Sequence, residues 1–185
     1  LRVSKSLDLN VVDSSLLKKR MDAPFHSRDA ALVRDYLQRG EHQSVGQFCS
    51  EIFLPGIFKR IHTEENESSA PYYNGGALFW AEPEPKAYLS RRTSLFNQVE
   101  LKQGMVLVQA FGQEGGLTGK PVWVGRYLNG ATTTHMLVRL ICDDIEDSAY
   151  LFGFLSCQAA YRQIRVLPYG GSIPHFDENG IGDVV

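Results

Sequence analysis

Apolar residues recur at helical spacing near both ends of the chain, and between them the pattern shortens into brief apolar runs cut by turns. Residues 1–27 show no period. Ala30, Leu32, Val33, Tyr36 and Leu37 then form one stripe, predicting a helix over residues 29–39 that Ser27 caps and Gly40 ends. Val45, Phe48, Cys49 and Ile52 predict a second helix over residues 44–53, broken by Leu54-Pro55-Gly56. Beyond Ile57 and the polar stretch 64–69, short runs at Tyr72-Tyr73, 77–80, 105–111, 122–124 and 135–141 predict strands. The aliphatic run 105–111 has the composition of a buried strand, and Thr132-Thr133-Thr134 suits the approach to an edge strand. Ala149, Phe152, Leu155, Ala159, Tyr161 and Ile164 predict a long helix over residues 147–166, capped by Asp147 or Ser148 and stopped by Pro168-Tyr169-Gly170-Gly171. The tail Ile181-Gly182-Asp183-Val184-Val185 starts like a strand and breaks off, as expected of a piece of a longer protein.

The sum is an α+β fold: a twisted, partly barrel-like mixed sheet over residues 57–145 with flanking helices, the 147–166 helix packing on the sheet. Residues 1–39 are expected to form a lead-in and helix against a body made by residues 40–185. Hydrophobic residues at 43% and charged residues at 22% allow a real core and exclude a disordered chain. No apolar run approaches the roughly 20 residues of a membrane span, and the start has no signal-peptide core, so a cytoplasmic protein away from membranes is expected. Cys49, Cys142 and Cys157 are odd in number and in no metal-binding spacing; buried, reduced thiols are expected of Cys49 and Cys157. The formal charge of −2 is unusual for a free-standing nucleic-acid binder. Asp143, Asp144, Glu146 and Asp147 form an acidic run, however, which suits a face turned away from a polyanion.

Catalytic constellations are near misses. Gly115-Gly116-Leu117-Thr118-Gly119-Lys120 invites a phosphate-loop reading, but Glu114 and Pro121 occupy the positions that need a glycine and a hydroxyl. Glu82-Pro83-Glu84-Pro85-Lys86 offers two carboxylates and a lysine, the donors a Mg²⁺-dependent nuclease uses, within a proline-rich segment better suited to a solvated loop. His26, His42, His62, His135 and His175 lack metal-ligand spacing, Ser172 lacks the nucleophile-elbow glycines, and no Asn/Asp-Pro-Pro-aromatic methyltransferase segment occurs. A non-enzymatic role needing no cofactor or metal is the expectation.

Three stretches, in order, resemble the specificity subunits of type I restriction-modification systems. Arg20-Met21-Asp22-Ala23-Pro24-Phe25 is similar to the Arg-x-Asp-Ala-x-aromatic lead-in ahead of their recognition domains. The 101–109 run from Leu101-Lys102-Gln103-Gly104-Met105, with the glycine-rich residues 112–119, resembles their Lys-Gly-Asp, hydrophobic-strand and glycine centre, Met105 standing where an aspartate is usual. The 149–156 run, the loop Gly170-Gly171-Ser172-Ile173-Pro174-His175-Phe176 and the closing residues 181–184 resemble the family's Tyr-Leu helix, Gly-Ser loop and last strand. The resemblance covers most of the chain and implies a target recognition domain. Such a domain binds double-stranded DNA and serves a methyltransferase subunit and, in the complete complex, a restriction subunit. One recognition domain and neither long helical spacer is present, which fits a half-subunit, an excised domain or the C-terminal reader of a fused methyltransferase-nuclease.

Reading duplex DNA requires side chains that reach base edges and others that hold phosphates. The candidates are Lys59, Arg60, Lys86, Arg91, Arg92, Gln113, Lys120 and Arg126, with Tyr169, Ser172 and His175 from the late loop. For each alone, a solvated surface residue is the simpler reading; for Gly112, Gly115, Gly116 and Gly119 it is a tight turn needing positive φ. Two other functions compete: a protein-interaction module presenting Tyr72, Tyr73, Phe79 and Trp80, and a small nuclease using Glu82 and Glu84.

Overall fold

The run at 105–111 becomes the axis of the molecule. In the computed structural model, which describes residues 11–18, 20–113 and 115–185, the strands are β1 (Glu51–Phe53), β2 (His62–Thr63), β3 (Ser69–Tyr73), β4 (Ala87–Ser90), β5 (Val106–Gln109), β6 (Pro121–Trp123), β7 (Thr132–Thr133) and β8 (Leu137–Ile141). The helices are α1 (Arg28–Leu37), α2 (Val45–Phe48), α3 (Phe96–Val99), α4 (Ile145–Leu155), α5 (Gln158–Ile164) and α6 (Glu178–Gly182). Residues 1–10 of the aperiodic start, and Glu114 of the phosphate-loop comparison, lie outside the described residues.

The strands form two four-stranded sheets, ordered β1-β8-β5-β6 and β2-β4-β3-β7. The first is antiparallel throughout, with Val106 opposite Leu140 and Val108 opposite Val138. Alternation of side chains sends Val106, Val108, Val138 and Leu140 to one face, where they pack with Leu151, Leu155, Ala160 and Ile164 of α4 and α5. Leu107 and Leu137 point the other way, into a cluster with Leu101, Met105, Leu128 and Tyr73. In the second sheet β3 pairs antiparallel with β4 and parallel with β7, and a smaller cluster of Phe58, Ala70, Tyr72, Leu89, Phe96 and Val99 forms its core. α1 packs on α5.

The α+β class is as expected; the partly barrel-like sheet is not. The sheets stay separate and unclosed, and the first begins at Glu51, inside the segment expected to be helical. There Ser44 and Gln47 close a capping box around a single turn, after which Cys49 turns extended and the chain enters β1 against β8. The expected strand at 77–80 is a 3-10 turn, Ala77–Phe79, seeded by Asn74 Oδ1 accepting from the Ala77 N–H at 2.8 Å. The long 147–166 helix is two helices. Ser156 returns its hydroxyl to Phe152 O at 2.7 Å and Cys157 becomes extended, so α5 starts afresh. Asp144, rather than Asp147 or Ser148, caps α4. The strand-like tail begins as the last turn of α6, a helix capped by Asp177 through Gly180 N–H. Ser27 sits at the start of α1 in extended conformation without a side-chain capping bond.

Cysteine burial also differs. Cys157 is exposed in the break between α4 and α5, while Cys49 and Cys142 are half-buried, and all three are free. Burial, with Cys142 alongside, pushes the Cys49 thiol up to about 12.

Candidate nucleic-acid interface

The lead-in motif has a mechanical role that its sequence pattern did not disclose. Arg20 grips Asp22 with two hydrogen bonds, Nε to Oδ1 at 2.7 Å and Nη2 to Oδ2 at 2.6 Å, and this hydrogen bonding holds the Asp22 carboxyl below its usual range. The same guanidinium lies over the rings of Phe25, at 4.7 Å, and Tyr169, at 5.2 Å, and donates to Leu167 O. His26 Nε2 lies 2.6 Å from Arg20 O. Arg-x-Asp-x-x-aromatic is thus a clasp between the start of the chain and the late loop.

The late loop is in turn tied to the glycine-rich turn. Tyr169 and His175 exchange backbone hydrogen bonds at 2.9 and 3.0 Å, Gly112 N–H donates to Pro174 O at 3.1 Å, and Gln113 Nε2 donates to Ser172 O at 2.8 Å. Gly112, Gly115 and Gly119 have positive φ as expected, while Gly116 does not. Gly119 allows a close approach to α5: at φ +80°, an added Cβ would meet Ile164 Cγ2 at 2.8 Å.

From this junction a series of rings crosses to the second sheet. His175 stacks on Phe111 with centroids 4.8 Å apart, Phe111 meets His135 edge-on at 6.1 Å, and His135 meets Phe58 at 6.3 Å. Arg60 closes the series over Phe58 at 5.7 Å and Tyr72 at 5.5 Å. Burial, with Arg60 and Arg139 nearby, holds the His135 imidazole below its ordinary value. Arg139 supports the segment from behind. It is fully buried, donates to Thr134 O at 3.0 Å and to Leu137 O, and desolvation brings it down to about 9.

The structure therefore gathers the predicted residues into groups. Gln113, Tyr169, Ser172 and His175 share the turn–loop junction. Arg60 and Lys86 line one cleft of the second sheet. Lys120 leaves the glycine turn to lie 4.5 Å over the Tyr161 ring of α5. Lys59 is exposed ahead of β2, and Arg126 is exposed on a 3-10 turn, Arg126–Leu128. Arg91, after β4, is engaged by Glu100 at 3.2 Å and lies over Phe96 at 5.1 Å, with Arg92 exposed beside it. Arg20, Thr134 and His135, which contact these groups, were not among the candidates. The Arg-x-Asp motif was the available signal for Arg20, whereas nothing in the chain brings residues 58, 111, 135 and 175 together before folding.

The acidic run occupies the far end of the scaffold. Thr134 and His135 precede β8 and Asp143 and Asp144 follow it; the five residues of β8 span about 17 Å. Asp144 is occupied as the cap of α4, accepting from Asp147 N–H at 2.8 Å.

No family model and no curated protein matches the sequence. Among solved structures, the chain is similar to the type I restriction-modification system S subunit from M. genitalium, at 15% identity and a TM-score of 0.39. The match covers 76% of this chain and 32% of that one, so the chain spans about a third of that subunit.

The competing surfaces change shape. Tyr72 and Tyr73 are buried, so the exposed aromatic patch reduces to Trp80, which joins Tyr127 and the half-buried Trp123 around a cleft of ≈ 630 Å³ with Glu82 and Glu84 on its wall. Among the described residues, no group of three His, Cys, Asp or Glu is placed to hold a metal, and no helix is long and apolar enough to cross a membrane.

Proposed function

We propose that this chain is a non-catalytic reader of double-stranded DNA that directs a partner adenine methyltransferase, and with it a restriction subunit, to a specific sequence. The observation that carries this reading is the joining of the glycine turn to the late loop by hydrogen bonds, with rings and guanidinium groups continuing to Arg60. A reader needs polar and cationic groups on a stiff support so that their positions match base edges and phosphates. The order of the three family-like motifs supports the same reading, since a part of each meets at this junction: Arg20 from the first, Gly112 from the second and the late loop from the third. The modest net charge fits a reader whose partner subunit neutralises part of the phosphate charge.

The test is selection from a random duplex library with the cognate methyltransferase present. Enrichment of one sequence, bound more weakly as salt rises, is the expected result. No enrichment, and no duplex binding at about 50 mM salt, would overturn the reading. The cleft at Trp80 and Tyr127 favours a second reading, a protein-interaction module; capture of polypeptide partners alone, with DNA ignored, would support it.

A further inference from the structure

One cleft of the second sheet has the chemistry of an anion site. It measures ≈ 450 Å³ and is lined by Arg60, His62, Asn74, Gly75, Lys86 and Thr134 among others, with no carboxylate in its wall. Arg60 is steadied by the Phe58 and Tyr72 rings, which limits the freedom its guanidinium loses on meeting a ligand. Thr134 is only 4% exposed, and its buried hydroxyl has no hydrogen-bond partner among the described residues. Such an orphan is costly unless something bonds to it. Arg139 lies immediately behind, held on Thr134 O at 3.0 Å and without an ion pair among the described residues. Gly75 keeps the wall bare: a Cβ there would come within 3.1 Å of Gln109 Oε1 and 3.3 Å of Thr134 Cγ2. Two surface cations, a buried cation and a hydroxyl donor around bare backbone suit a small, singly charged oxyanion.

We infer that this cleft seats one phosphodiester of the bound duplex, with Arg60 and Lys86 neutralising it and Thr134 Oγ1 donating to it. The inference rests on the DNA-reading function and adds a role for Thr134 and Gly75. The seat fixes register and carries no base information, so it acts equally on every sequence.

Binding of the full-length chain to its selected duplex and to a scrambled one, measured between about 50 and 200 mM salt, tests it. Arg60→Gln and Lys86→Gln should each lower the salt slope, and the double substitution should lower it by about 0.9, shrinking the affinity loss over that range about 3.5-fold on both duplexes alike. Arg60→Lys should keep the wild-type slope, and Arg39→Gln, on the exposed turn after α1, should change nothing. Thr134→Val should weaken both duplexes about tenfold with the slope unchanged. Circular dichroism melts confirm folding of each variant. Duplex bound by wild type and by both charge variants with identical slopes overturns the seat and leaves the reading function standing. A change confined to the selected duplex also overturns it, since the pair then reads a base edge. Failure of the wild-type chain to bind duplex with its methyltransferase present removes the reading function, and the seat with it.

Discussion

The two sheets divide stability from exposure. The sheet β1-β8-β5-β6 is covered on both faces, so that every residue of β5 is buried and helices close one side. In the sheet β2-β4-β3-β7 the edge strand β2 is exposed along its length and β4 is buried only at Leu89. The candidate cations Arg60 and Lys86 lie around this second sheet, while Lys120 flanks β6 of the first. A scaffold that must hold distances packs tightly, while a surface that meets a ligand keeps its polar groups wet. The segment 134–136 is where one region passes into the other.

The largest effect should come from cutting the first sheet. Leu107 is fully buried at its centre, and Leu107→Ala should cost about 2–5 kcal/mol in urea unfolding. Thr63→Ala on exposed β2 should stay within about 0.5 kcal/mol. Equal costs at the two positions would erase the distinction between scaffold and surface.

Gly119→Ala comes next. The turn joins the scaffold to the late loop, and φ of +80° charges a side chain about 1–2 kcal/mol, with Ile164 Cγ2 at 2.8 Å adding to it. Thermal unfolding should show the loss. Duplex affinity should also fall, because the shift reaches Lys120 and α5. A destabilised variant with unaltered affinity would confine the turn to a structural role.

The sequence disclosed the first sheet far better than the second, and the reason is physical. β5 and β8 are aliphatic runs whose partners are set by burial, so their residues announced themselves. β7 has two residues and joins β3 in parallel across some sixty positions, a pairing no local pattern encodes. The helical pattern at 147–166 was correct in spacing and wrong in continuity, because the backbone turns extended at Cys157, after Ser156 has bonded back to Phe152 O. Candidate cations were visible as residues, yet their grouping was not. Arg60 and Lys86 share a cleft only after β4 folds back toward β2, and His135 meets Phe111 only once β5 and β8 are paired.

Asp144→Ala should cost about 1 kcal/mol by removing the cap of α4 at the acid end of the scaffold, read by thermal unfolding. A smaller, pH-dependent term belongs to His135. Its imidazole is held below the ordinary 6.5, so the unfolded chain binds the proton more readily. Stability is therefore unaffected above that value and declines as pH falls below it, towards the lowered folded value. His135→Phe should flatten the acid side of the melting-temperature profile. An unchanged profile would remove His135 as the source.

Arg91→Gln should have the least effect on stability, and for that reason it sharpens the comparison most. Its ion pair with Glu100 at 3.2 Å is exposed on the arginine side, and such pairs contribute roughly 0–1 kcal/mol. Contact with Phe96 adds a similar small amount. Melting should shift by little, and less still at high salt, where the pair is screened. If Arg91 meets DNA, the same substitution should weaken duplex binding or change the selected sequence while the fold stays put. It would then separate binding from stability in one residue, as Leu107→Ala cannot. A variant unchanged in melting, affinity and preference would assign Arg91 to the solvated rim of the second sheet, and leave Arg60 and Lys86 as the cations that matter there.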